Sequence, residues 1–146
     1  MTQKIERRTL LIAAVLIILG TLTAITGWYI FPVCEMEGKY VETKSGKLLP
    51  MPCGYTARAE TAIGALVILA GVTLIALPKR DARRALGIMV IGIAVAAALI
   101  ATVIIGMCAA PTHTCRIATQ PALIFLSGIT IITGIYMIIT RDGTSS

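Results

Sequence analysis

Four long stretches of this chain carry no charged side chain at all, and they decide what it can become. They cover residues 9–31, 61–77, 85–107 and 121–140. About 20 apolar residues span the hydrocarbon core of a bilayer as a helix, and about 17 is the lower limit. The second stretch sits at that limit and extends to 57 by borrowing the turn before it. None shows the strict apolar/polar alternation of a membrane β-strand. Lipid offers no partner to backbone N–H and C=O groups, so each stretch must be helical. The expected fold is all-α: a polytopic four-helix transmembrane bundle forming a single domain over 1–146. Its helices fall at about 9–31, 57–77, 85–107 and 120–140, its outer loops at 32–56 and 108–119, and a cytoplasmic turn at 78–84. The first stretch is too long for a secretory signal and ends in Trp28, Tyr29 and Phe31, which suit an interfacial anchor.

Composition agrees with a lipid environment: 57% hydrophobic residues, 14% charged, and mean hydropathy +0.90. The net charge of +6 does not indicate a nucleic-acid partner, because the basic residues flank the apolar runs in short clusters. One side of the bundle carries eight Lys and Arg: Lys4, Arg7, Arg8, Lys79, Arg80, Arg83, Arg84 and Arg141. The other carries five: Lys39, Lys44, Lys47, Arg58 and Arg116. Positive residues stay inside. Both termini and the 78–84 turn are therefore expected in the cytoplasm of a multi-pass cell-membrane protein.

All four cysteines, Cys34, Cys53, Cys108 and Cys115, fall in the two outward loops. An even number confined to the oxidising side reads as disulfides, of which four cysteines allow three connectivities. Pairing within each loop, Cys34–Cys53 and Cys108–Cys115, is the expected one, although cross-loop pairs stay open. Each half reads helix, cysteine, loop, cysteine, helix, as a duplicated hairpin would. The residue match between the halves is poor.

Small residues suggest where helices approach one another: Gly20 with Gly27, Gly64 with Gly71, and Gly92 with Ala96. These faces serve internal packing or docking on another membrane subunit. No ionisable residue is expected at membrane depth. Glu60 reads as a first-turn residue at the mouth of the second helix, with Thr56 as its cap. An ion carrier needs such groups in the membrane interior, so a coupled transporter is disfavoured.

Two chemistries can be weighed in the outer loops. Thiol–disulfide exchange relies on a reactive Cys-x-x-Cys, whereas the cysteines here stand 19 and 7 positions apart. Soft-metal binding would draw on His113, the one histidine, and on Met36, Met51 and Met107, each within two residues of a cysteine. Inert disulfides are preferred to both, with no metal and no cofactor.

The segment Met51-Pro-Cys-Gly-Tyr-Thr-Ala-Arg-Ala-Glu60, and Cys108 to Cys115 followed by Arg116-Ile-Ala-Thr-Gln-Pro121, carry a family likeness. They resemble a small four-helix membrane family of bacteria and archaea with no assigned reaction. Such members have a histidine after the first-loop cysteine, where this chain has Gly54. The resemblance implies association with ABC-type exporters. The expected function is thus a non-catalytic accessory subunit, bound to lipid and to an ABC permease, another subunit or a second copy. The alternative is an extracytoplasmic thiol–disulfide or soft-metal-handling protein.

Overall fold

The computed structural model describes residues 7–140 except 78 and 109–111. Lys4, Arg141 and both termini, on which part of the charge count rests, lie outside the described residues, as does Pro78. Helix α1 spans Arg7–Ile25 and ends in a π turn, Thr26–Ile30. A two-stranded antiparallel hairpin follows, β1 Tyr40–Glu42 with β2 Leu48–Pro50, which pairs Val41 with Leu49. Helix α2 spans Pro52–Ala76. Helix α3 spans Arg80–Leu99 and ends in a second π turn, Ile100–Ile104. A third π turn, Cys115–Thr119, leads into α4, Gln120–Ile139.

The four spans are 24 or 25 residues long with mean hydropathy of 2.0 to 2.7, enough to cross a bilayer. Large apolar side chains such as Val103, Phe125, Ile132 and Ile139 point outward, where lipid would solvate them. Three spans begin several residues before the helix starts expected at 57, 85 and 120, namely at Pro52, Arg80 and Cys115. Hydropathy registers contact with lipid, whereas a helix continues into the interface where polar side chains are hydrated. Pro52 suits the first turn of α2, since its missing N–H would have no helical partner there.

The earlier start of α2 moves Glu60 into its third turn. It was expected at the mouth, but it is 1% exposed inside the bundle and its carboxyl oxygens have no hydrogen-bond partner among the described residues. Thr56 is not a cap either. Its hydroxyl donates to the Gly106 carbonyl at 2.7 Å, and Met51 occupies the N-cap position. Arg83, at the opposite end, is also buried and donates to the Thr140 carbonyl, which closes α4.

Helix α1 packs on α2 and α3 on α4 along their lengths, with sparser contacts between the two hairpins. Backbones touch at Gly20 and Gly64, where a Cβ added to Gly20 would stand 2.6 Å from the Gly64 carbonyl. In the second hairpin the corresponding approach is Gly87 against Gly134, not Gly92. Gly92 is exposed, with nothing within 4 Å of where a Cβ would stand, and Ala96 is half-buried. The face expected at Gly92 and Ala96 is therefore not an internal helix contact at Gly92.

The two hairpins are copies of one plan, and burial shows this better than the letters do. Every buried residue of α3 and its π turn has a buried counterpart 74 positions earlier. Arg83, Gly87, Val90, Ala94, Ala97 and Ala101 answer to Thr9, Ala13, Leu16, Gly20, Thr23 and Gly27. The π turns Thr26–Ile30 and Ile100–Ile104, and Cys34 and Cys108, keep the same interval. In the second helices Cys53 and Cys115 stand 62 apart, but from Thr56 and Thr119 down to Leu74 and Met137 the interval is 63. The extra residue falls in the π turn Cys115–Thr119, which accommodates one residue more than an α turn. Both hairpins run in the same direction, so the repeat axis lies along the membrane normal.

Candidate metal centre

Each cysteine is delivered by the end of a helix. Cys34 sits in a tight turn after the first π turn, where its carbonyl accepts from the amides of Glu37 and Lys39 at 3.1 and 3.0 Å. Gly38 supplies the left-handed residue this turn needs, at φ +71°. Cys53 is the second residue of α2. Cys108 follows Gly106, itself left-handed at φ +73°, just beyond the second π turn. Cys115 opens the third π turn. Two reciprocal hydrogen bonds hold the hairpins in register around them. Thr56 donates to the Gly106 carbonyl at 2.7 Å, and its counterpart Thr119 donates to the Phe31 carbonyl at 3.0 Å.

The result is a single buried cluster of four sulfurs, all within 4.8 Å of one another. Cys34 Sγ lies 3.4 Å from both Cys108 Sγ and Cys115 Sγ, and Cys108 Sγ lies 3.2 Å from Cys53 Sγ. These approaches run between the two loops. No two of the four sulfurs stand at bonding distance, so the expected disulfide-tied loops are not confirmed; the cysteines form a four-thiol cluster. The loop spacings of 19 and 7 suggested local pairs because nothing in them reveals that the loops meet.

Tetrahedral coordination with metal–sulfur bonds of about 2.3 Å sets sulfurs about 3.8 Å apart. The observed cluster reaches this by a spread of about 0.4 to 0.6 Å at its closest edges. Four thiolates at this scale enclose one ion and suit a soft or borderline metal such as zinc or copper(I). Val33 and Ala57 are buried with the sulfurs, and Trp28, Met51 and Met107 pack against them. This apolar jacket pushes the Cys34 thiol up to about 12 and the Cys108 thiol upward as well, chiefly through desolvation. Without an ion these two are therefore held as neutral thiols.

Of the other soft donors, His113 places Nδ1 3.4 Å from Cys34 Sγ, and Met51 places Sδ 3.7 Å from Cys108 Sγ. Met36 is exposed, away from this core. Sequence reasoning missed Glu35, whose carboxylate pairs with Arg58 at 2.7 Å beside the cluster. A Cβ at Gly54 would meet the end of that carboxylate, so Glu35 would have to swing aside.

A four-helix membrane protein built from two hairpins, with four cysteines gathered where they meet, is the class that this fold and site define. Residues 16–140 match the family described as Domain of unknown function (DUF4418), and the chain belongs to it. No curated protein and no solved structure matches the chain.

Proposed function

We propose that this chain is a membrane protein that holds one soft or borderline metal ion in a four-thiolate centre on the outer side of the bilayer. The observation that carries this reading is the convergence of Cys34, Cys53, Cys108 and Cys115 within 4.8 Å without a bond among them. Each hairpin supplies two ligands, so one ion joins the two halves. Four protein ligands leave no open position for a substrate, which argues for binding rather than catalysis. The Lys and Arg distribution supports an outward location, with the termini in the cytoplasm. Metal analysis of the purified full-length protein tests the proposal. About one equivalent of zinc or copper per chain is expected, with loss in Cys34→Ser and Cys108→Ser. Metal-free protein carrying two disulfides by nonreducing peptide mapping would overturn it in favour of inert crosslinks.

The accessory-subunit reading keeps one observation of its own. Gly92 lies open on the outward side of α3, where a helix of another subunit could approach closely. Gly92→Leu should then remove a copurifying membrane protein while metal content is unchanged.

A further inference from the structure

Met51 and His113 occupy the same place in the two hairpins, each two residues before the second cysteine of its half. Each reaches across to the first cysteine of the other half: His113 Nδ1 to Cys34 Sγ at 3.4 Å, and Met51 Sδ to Cys108 Sγ at 3.7 Å. Both are half-buried, whereas all four cysteines are buried. They therefore stand between the sulfurs and the surroundings.

Bond lengths show what these separations allow. An ion bound at about 2.05 Å to His113 Nδ1 and about 2.3 Å to Cys34 Sγ would subtend about 103°. An ion shared by Met51 Sδ and Cys108 Sγ, both at about 2.3 Å, would subtend about 107°. Both angles are close to tetrahedral. Each uncharged donor can thus hold an ion together with the one cysteine sulfur it faces, before the remaining sulfurs close on it.

We propose that Met51 and His113 are relay ligands through which a soft d10 ion enters and leaves the four-thiolate centre. The inference rests on that centre binding a metal. On entry, a bond from the ion to imidazole nitrogen or thioether sulfur forms first. It is then exchanged for a bond to a second cysteine sulfur of the cluster; each thiol that binds the ion gives up its proton to water, and the oxidation state of the ion does not change. On exit the order reverses: the outer donor takes the ion, and each sulfur it leaves takes a proton from water and returns to the thiol. The two gates serve opposite sides of the repeat axis. A purely structural four-thiolate centre needs neither of them.

Cadmium(II) is the probe, because its bonds to thiolates absorb in the ultraviolet and report loading directly. Full-length protein in detergent would be loaded by rapid mixing, then stripped with excess EDTA. Met51→Leu with His113→Gln should keep one cadmium per chain while slowing both loading and stripping about tenfold or more. The exchanged pair, Met51→His with His113→Met, should restore rates to within about threefold of the parent, since the positions are equivalent. Rates in the Leu/Gln variant within about twofold of the parent would overturn the proposal. So would an exchanged pair as slow as the Leu/Gln variant, or a Leu/Gln variant that no longer holds cadmium. A parent protein that binds no cadmium at all would instead remove the four-thiolate centre itself.

Discussion

Replacing Glu60 by leucine should make this protein more stable. Glu60 is 1% exposed, and neither carboxyl oxygen has a partner among the described residues. An unsatisfied buried polar group costs about 1–3 kcal/mol. The second hairpin shows what the site accepts when the carboxyl is absent. Leu123 holds the equivalent position and is equally buried at 1%. Leucine has a volume close to that of glutamate, so no cavity is opened and the expected gain is about 2 kcal/mol. Reversible unfolding in mixed micelles with increasing SDS would measure it. Trp28 is a convenient fluorescent reporter, as its indole N–H donates to Thr61, next to Glu60, at 2.8 Å. Glu60→Gln serves as the polar control and should gain less. A loss of about 1 kcal/mol or more in Glu60→Leu would refute the reasoning, because the carboxyl would then be bonded in the folded protein to a proton-linked partner or an ion.

Gly64→Ala should cost about 1–3 kcal/mol, since its Cβ meets Ala24 at 2.8 Å. Gly92→Ala meets nothing and should be neutral or stabilise by up to about 1 kcal/mol; SDS unfolding compares the two, and equal effects would contradict the packing. Metal-free protein should lose stability as pH rises from about 9 toward about 12. Over that range unfolded chains ionise their thiols while burial keeps the folded Cys34 thiol protonated to about 12. Metal-loaded protein should weaken in the opposite direction, as falling pH protonates the ligands, and unfolding curves with EDTA or with cadmium distinguish the two. A cysteine placed at Lys44 should be labelled in intact cells by an impermeant reagent, and protection there would reverse the orientation.

The four spans were legible because lipid imposes one solution on long uncharged runs. Their beginnings were not. The interval from Pro52 to Thr56 is helical yet adds little hydropathy, so from sequence Glu60 reads as a helix-mouth residue rather than one two turns deep. The four-thiol cluster was out of reach for a different reason. Its closest contacts join residues 55 to 81 positions apart, while the intervals within each loop suggested local partners. The duplication was visible as layout but not as letters. Thr9 answers to Arg83 and Glu60 to Leu123, pairs that share burial and no chemistry. Gly87 against Gly134 was missed because a close approach depends on which glycines face each other.

One hairpin alone owns two cysteines, half of the four-sulfur cluster. A free-standing hairpin of this design could complete its centre only by meeting an identical partner about a twofold axis, each surface being its own complement. Joining the two into one polypeptide relieves that identity constraint. A thioether can then face one side and an imidazole the other, and a carboxyl can be buried in one half where the other keeps leucine. Fusion also makes assembly independent of concentration, because the second half is always present. An ion bound as proposed would accordingly set the spacing within one molecule and not hold two together.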